Sequence, residues 1–241
     1  MDAKDVISAL TAHASSADAV FLQRFFKTGE GQYGAGDVFM GVRMPQIRLV
    51  ARQFAGLPLG EVQKLVQSPV HEQRMCGLVL LANAYAKSDA AMQEKIFQLY
   101  LKNLRAGRIN NWDLIDVTAE FVIGAHELHT DRHVLFELAA SPNLWQKRAA
   151  IVSAFQFVKA GDGTTTLQLA EKLLHDRHDL IQKAVGWQLR EVGKRVNRQL
   201  LLTFLDVHAA TMPRTTLRYA IEHLPAAQRQ QYMQKRLDNQ S

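Results

Sequence analysis

Trp112 and Trp187 are the residues whose positions most clearly indicate chemistry, because neither lies where a core tryptophan of its helix would lie. Successive residues of an α-helix are about 100° apart around its axis, so Trp112 falls roughly opposite the apolar stripe, with Asp116 one turn along the same face. Trp187 falls about 140° from the stripe of its own helix, among cations. Indole rings beside a carboxylate and cations suit a flat, anionic ligand. The predicted stripe of the Trp112 helix consists of Leu114, Ile115, Val117, Phe121 and Val122.

Arg148 lies within the apolar stripe of its helix, where a charge is costly to bury without a partner. Its rigid planar fork fits two roles equally, an ion pair with Asp113 or Asp116, or a contact to a phosphate. The helix that contains Trp112 also has a purely structural interpretation. In that interpretation Trp112 fills a gap between helices, and Asp116 is solvated or paired with arginine. The residue types alone do not decide between these roles.

The second part of the chain is basic. Residues 141–241 carry 15 Lys and Arg against 8 Asp and Glu, whereas residues 1–140 carry 14 against 15. Such asymmetry is typical of a surface for a polyanion, most often nucleic acid, although a solvated basic face fits it equally. Cations around Trp187 would bind phosphates while the indole packs on a sugar or base. The candidate phosphate-binding cations are Lys147, Arg148, Lys183, Arg190, Lys194, Arg195, Arg214 and Arg218.

Helices must position these side chains, because apolar residues recur with helical spacing in almost every segment after residue 44 and strand-like alternation is missing. The predicted helices are 3–13, 17–27, 45–55, 59–67, 70–87, 90–104, 111–126, 131–140, 144–160, 164–175, 178–195, 198–210, 213–223 and 226–238. The glycine-rich segment 29–45 lacks the Gly-Lys-Ser/Thr ending of a phosphate-binding loop. We therefore interpret it as an ordinary connection between helices.

An internal repeat underlies these helices. Five segments of similar length and apolar pattern align at residues 74, 113, 148, 183 and 215, in steps of 39, 35, 35 and 32. A period of this size in a helical chain indicates stacked helix pairs, an all-α solenoid of HEAT-like repeats. We predict one domain, 1–241, in which 1–44 form capping helices and the glycine-rich loop and 45–241 form the repeats. Stacking would bring Trp112, Arg148 and Trp187 onto one concave face.

The remaining features argue against several classes of protein. The one cysteine, Cys76, lies in an apolar helical run, so we expect a buried thiol, no disulfide and a reducing cytoplasm. No apolar run approaches the roughly 20 residues that span a bilayer, and the acidic, amphipathic N-terminus is unlike a signal peptide. His126, His129 and His133 have no nearby cysteine that would complete a site, so we expect no metal and no cofactor.

Four segments follow one another with consistent spacing: DVFMGVRMPQIRLVAR, NNWDLID, LWQKRAAIVSAF and IQKAVGWQLREVGKR. Together they resemble the AlkD-like family of DNA alkylation-repair glycosylases, which are built from HEAT-like repeats, and the similarity covers most of the chain. The family's catalytic pattern has a Trp followed by Asp, a second Asp three residues later, an Arg in the third segment and a Trp in the fourth. Those roles fall on Trp112, Asp116, Arg148 and Trp187. Asn111 stands where some members carry a second aromatic residue.

The resemblance implies hydrolysis of the N-glycosidic bond of cationic N3- or N7-alkylated purines in duplex DNA. Such a purine already carries positive charge and can leave without a general acid, so the barrier lies in the charge developing on the deoxyribose. Asp116 would stabilise that charge and orient a water, while Trp112 and Trp187 would pack against the sugar. Arg148 would hold the adjacent phosphate. The resemblance also implies a lesion engaged through its backbone, without an enclosing pocket for the base.

The predicted function is therefore a monomeric, cytoplasmic DNA glycosylase, found at the nucleoid when bound to DNA. A non-catalytic binder of damaged or branched DNA is one alternative, and a HEAT-type scaffold that recruits an acidic protein is another. The complete Trp, Asp, Arg and Trp set favours the glycosylase over the non-catalytic binder. Basic residues beside exposed aromatics favour either DNA function over the protein scaffold.

Overall fold

The computed structural model describes residues 1–235, and nearly all regular structure in that range is helical. The described residues form no β-strand, and a single β-bridge joins Val38 to Val70. None of the described helices is long and apolar enough to cross a membrane. The chain divides into two compact units, residues 1–126 and residues 127 onwards.

The first unit is built around one buried helix. Its elements are α1 (Ala3–Thr11), α2 (Ser16–Phe25), α3 (Met44–Gln53), α4 (Leu59–Val66), α5 (His71–Tyr85), α6 (Ala90–Arg105), α7 (Trp112–Asp116), the π-helix π1 (Glu120–Gly124) and, at the boundary, α8 (Ala125–Glu127). Nearly every residue of α5 is buried, and α3, α4 and α6 pack against it. A Cβ at Gly77 would lie 2.9 Å from a methyl of Val66, so glycine permits the close approach of α4 and α5.

The second unit contains a second run of packed helices. Its elements are α9 (His133–Ala140), α10 (Leu144–Ser153), α11 (Phe155–Lys159), α12 (Thr164–Lys172), α13 (Asp179–Glu191), the π-helix π2 (Val192–Val196), α14 (Arg198–His208), α15 (Arg214–Ala220) and α16 (Ala226–Gln234). Helix α13 packs on both α10 and α15. A Cβ at Gly186 would lie 2.5 Å from the Thr216 carbonyl oxygen, so glycine lets α13 and α15 meet directly beside Trp187.

The predicted all-α fold of stacked helix pairs is confirmed. Successive helices pack on one another, as in α4 with α5, α9 with α10 and α12 with α13. The predicted breaks at 68–71, 106–111, 140–143 and 160–164 all separate helices or fall at a helix start. The single domain and the concave face concern the arrangement of the two units, and they stay predictions. Residues 236–238 of the predicted helix 226–238 lie outside the described residues.

Several predicted helices are wrong in their interior. The helix predicted over 111–126 ends at Asp116 and resumes as π1, and the one predicted over 178–195 becomes π2 at Val192. The helix predicted over 144–160 divides at Ala154. Because a π-turn spans an additional residue, a projection at about 100° per residue loses its phase beyond such a break. Phe121, which the projection placed in the apolar stripe, is consequently 46% exposed, whereas Val122 is buried.

Candidate functional site

Trp112 and Asp116 occupy the two ends of α7, one helical turn apart, and both side chains are half-buried. Asn111 begins this short helix, because its Oδ1 accepts a hydrogen bond from the Trp112 backbone N–H at 2.9 Å. The Asn111 side chain is fully buried. Asn111 therefore caps the helix that carries the candidate catalytic pair.

Aromatic side chains of α2 and the residue after it support the Trp112 ring. The ring centroid of Trp112 lies 5.9 Å from that of Phe25, in an edge-on arrangement, and 5.2 Å from that of Phe26. Phe26 is buried, whereas Phe25 is 53% exposed. Trp112 thus has protein rings on one side, although the helical projection placed it opposite the apolar stripe of its own helix. No sequence pattern links Phe25 to Trp112, because α2 lies almost ninety residues earlier in the chain.

A relay of three side chains, two buried and one half-buried, fixes the first turn of α7. His71 Nδ1 lies 3.0 Å from Asp37 Oδ2, and His71 Nε2 lies 2.9 Å from Asp113 Oδ2. The imidazole is 2% exposed and contacts the rings of Phe39 and Phe26, with centroid distances of 4.4 Å and 5.2 Å. Since Asp113 directly follows Trp112, the relay ties the position of Trp112 to the centre of the first unit.

Helix α5, which carries His71, also holds the glycine-rich loop in place. Arg74 Nη2 donates to Asp37 Oδ1 at 2.6 Å, and Asn110 Nδ2 donates to that oxygen at 3.0 Å. Glu72 accepts hydrogen bonds from the backbone N–H groups of residues 40–42, the shortest at 2.8 Å. Predicted as an ordinary connection, the loop instead supplies a buried carboxylate to the support of α7.

The relay favours a protonated His71. Burial alone would lower the pKa of His71, but the carboxylates of Asp113 and Asp37 outweigh it and hold that pKa above its ordinary value. Burial would likewise raise the pKa of Asp37, yet His71 and Arg74 keep it below the usual range. The relay is therefore a buried cation held between two carboxylates.

The other end of α7 is fixed by Tyr100 and Thr118. Tyr100 Oη and Thr118 Oγ1 are 2.8 Å apart, and Thr118 Oγ1 donates to the Leu114 carbonyl at 2.5 Å. Burial, with a contribution from the charge of Asp116, raises the pKa of the Tyr100 hydroxyl. Tyr100 therefore remains a neutral partner, and these bonds hold the turn that follows Asp116.

In the second unit, Arg148 joins α10 to α13. Its side chain is buried, as the sequence predicted, and Nη1 donates to the Leu180 carbonyl at 2.5 Å. Leu180 lies in the first turn of α13, the helix that carries Trp187. Arg148 therefore has a structural function in positioning that helix. Its predicted contact to a phosphate stays a prediction.

Trp187 is half-buried and belongs to a cluster of aromatic rings and cations. Its ring centroid lies 5.7 Å from that of Phe155, a contact that the sequence pattern does not predict. The Arg195 guanidinium and the Lys159 ammonium each lie 5.2 Å from the Phe155 centroid. Glu191 accepts a 2.7 Å hydrogen bond from Arg195 and so fixes that cation over the ring.

Many of the predicted phosphate-binding cations already have partners within the second unit. The pairs are Lys147 with Asp176, Lys183 with Asp179, Arg190 with Glu191 and Glu222, and Arg195 with Glu191. Arg214 donates to the Met233 carbonyl at 2.9 Å. Lys194 and Arg218 are exposed and form no ion pair with residues of the described range. These two cations are the members of the predicted set whose charge is least compensated there.

Other reactive groups are engaged in structure. Burial raises the pKa of the Cys76 thiol to about 12, in agreement with the buried side chain expected from the sequence. His126 stacks on Phe97 with the ring centroids 3.7 Å apart, and His133 pairs with Asp131. Among residues 1–235, no three His, Cys, Asp or Glu side chains are grouped to hold a metal ion.

Comparison with known proteins identifies the family. The family model for the DNA alkylation repair enzyme matches residues 6–224. A solved structure with the name "Predicted DNA alkylation repair enzyme from Enterococcus faecalis" is similar in fold, with a TM-score of 0.68 and 16% identity over 89% of this chain and 98% of that one. Comparison with curated proteins finds no match. Because the family model spans most of its length, the chain belongs to the DNA alkylation repair enzyme family.

Proposed function

We propose that this protein is a DNA glycosylase that hydrolyses the N-glycosidic bond of cationic N3- or N7-alkylated purines in duplex DNA. The family gives the role in DNA alkylation repair. The observation that carries the finer proposal is α7, on which Trp112 and Asp116 lie one turn apart, both half-buried. Bonds at each end of α7 restrict its movement, and such preorganisation is what electrostatic catalysis requires.

The chemistry needs few groups. The bond between C1′ and the purine nitrogen breaks with its electron pair passing to the purine, which neutralises the charge of the alkylated base. A water oxygen then bonds to C1′ and releases one proton. Asp116 is assigned to stabilise the positive charge on the sugar and to orient that water. Trp112 is assigned to cover the deoxyribose and offer its π-face to the same charge.

The second unit is assigned to the DNA backbone. Trp187 and Phe155 offer ring faces to sugars, and nearby cations attract phosphates. Arg148 is assigned to the phosphate beside the lesion, in addition to its bond with Leu180. Engagement through sugar and phosphate leaves the base outside any enclosing pocket, so bulky adducts would be accepted.

Incubation with methylated duplex DNA tests this function. Free bases are resolved by chromatography and abasic sites are counted in the same samples. The proposal predicts release of 7-methylguanine and 3-methyladenine, with one abasic site for each free base. Tight binding of methylated duplex without any free base would instead support the non-catalytic binder. Identical chromatograms with and without protein would remove the glycosylase assignment.

A further inference from the structure

The first unit contains a cavity of about 400 Å³ between α3, the end of α5 and π1. Val79 and Ala82 of α5 form a buried apolar floor. Phe121, turned outward at π1, and Val117 form one side of the cavity. The cavity therefore borders the segment that directly follows Asp116.

Every ionisable side chain that lines this cavity is a cation. Arg48 and Arg52 contribute from successive turns of α3, and Lys87 contributes from the residues after α5. None of the three forms an ion pair with a residue of the described range 1–235, unlike Lys147, Lys183 and Arg195 of the second unit. Residues 1–140 have slightly more acids than bases, so this cluster is not a consequence of general positive charge.

Helix-end stabilisation accounts for only part of the cluster. Lysine and arginine are favoured in the last turn of a helix. This preference explains Arg52, in the last turn of α3, and Lys87, two residues after the end of α5. Arg48 lies earlier in α3, and the dipole effect does not explain it. Three like charges around one cavity repel each other, so an anionic ligand would stabilise the arrangement.

We propose that this cavity is a binding site for the DNA backbone, with a phosphate between Arg48 and Arg52 and the neighbouring sugar against Phe121. Two guanidinium forks one turn apart suit the planar, bidentate recognition of a phosphate. The exposed ring and the apolar floor suit the deoxyribose, and the Asn83 amide supplies a donor at the cavity wall. The site rests on the proposed function in one respect, that the ligand is DNA. It adds a phosphate contact in the first unit, whereas the sequence predicted such contacts from Lys147 onwards.

The test measures affinity for undamaged duplex DNA by fluorescence anisotropy over a range of salt concentrations. Arg48→Gln/Arg52→Gln is compared with Lys95→Gln/Lys102→Gln, which removes two exposed cations from α6 and changes the net charge equally. The cavity variant is expected to bind about tenfold more weakly, and the slope of log affinity against log salt should fall by about 0.9 for each lost phosphate contact. The control variant should keep the wild-type slope.

Phe121→Ala separates the uncharged part of the site from the charged part. Its affinity is expected to fall several-fold at every salt concentration with no change in slope, because no phosphate contact is lost. Circular dichroism melting confirms that each variant is folded. If the double variant is unstable, the single substitution Arg52→Gln at an exposed position serves in its place, and its slope of log affinity against log salt should still be lower than that of the wild type.

The outcomes separate this site from the glycosylase proposal. A cavity variant that binds like Lys95→Gln/Lys102→Gln overturns the site, even when the wild-type protein releases alkylated bases. A wild-type protein that binds undamaged duplex through the cavity but releases no base keeps the site and overturns the glycosylase. Absence of any duplex binding overturns both.

Discussion

At the scale of single residues, His71 is the side chain whose environment most constrains the candidate site. It lies between two carboxylates, one from the glycine-rich loop and one from the residue after Trp112. Removing one member of such a buried set leaves the remaining charges without compensation and costs roughly 3–5 kcal/mol. The relay therefore couples the stability of the first unit to the position of Trp112.

Replacing His71 by Gln is expected to lower the free energy of unfolding by about 3 kcal/mol near pH 6. The folded-state pKa of His71 is raised, so its stabilisation is fully present below the unfolded-state pKa of about 6.5 and is lost as pH rises through the folded value. The difference between wild type and variant should consequently shrink from pH 6 to pH 9, measured by urea denaturation. His13→Gln, at an exposed histidine, is the control. A difference that does not change with pH would contradict a protonated His71.

The sequence predicted local relations between residues and missed distant ones. Trp112 and Asp116 were recognised as neighbours because four positions make one helical turn. Arg148 was recognised as buried because it interrupts an apolar stripe. The contacts of His71 with Asp37 and Asp113 join residues 34 and 42 positions apart, and no periodicity relates them.

At the scale of elements, the candidate site depends on departures from the regular α-helix. Both helices that carry a candidate tryptophan continue into a π-helix, π1 after α7 and π2 after α13. Such π-turns recur at functional sites, and here one of them turns Phe121 outward. The apolar periodicity of the sequence located most elements within a few residues. It could not reveal these π-turns, because a turn that is wider by one residue requires no distinctive residue type.

Helix α2 is the second unexpected element, because none of its ten residues is buried although two are phenylalanines. Phe25→Ala removes one of the two phenylalanine rings that contact Trp112, and an aromatic contact is worth about 0.5–1.5 kcal/mol. The single-turnover rate of 7-methylguanine release should fall by roughly two- to tenfold, with an unchanged melting temperature. Val20→Ala, on the same helix and 51% exposed, is the matched control. Equal rates for the two variants would show that α2 does not position Trp112.

At the scale of the whole molecule, charge is distributed differently from the simple division seen in the sequence. The excess of cations after residue 140 is partly neutralised by internal ion pairs, whereas Arg48, Arg52 and Lys87 of the first unit form none with residues 1–235. Composition counts charges but does not show which of them are paired. The family, by contrast, could be predicted from four segments that span most of the chain, and the family model confirms it.

Duplex affinity is expected to fall steeply as salt rises, because each neutralised phosphate releases counterions and contributes about 0.9 to the logarithmic slope. Five contacts would give a slope of about −4.5, a loss of several hundred-fold between 50 and 200 mM salt. Titration of wild-type protein into labelled duplex at four salt concentrations measures this slope. A flat response would favour the scaffold that recruits an acidic protein.

The most direct test of the central claim compares Asp116→Asn with Asp179→Asn in single-turnover release of 7-methylguanine, with duplex affinity measured in parallel. Asp116→Asn keeps the shape of the side chain and removes the charge assigned to the sugar cation, so the rate should fall by about 10²–10³. Its affinity should be unchanged or higher, because a negative charge near the DNA is lost. Asp179→Asn, at an exposed acid of the second unit, should release base at the wild-type rate. Base release by Asp116→Asn at the wild-type rate would contradict the account.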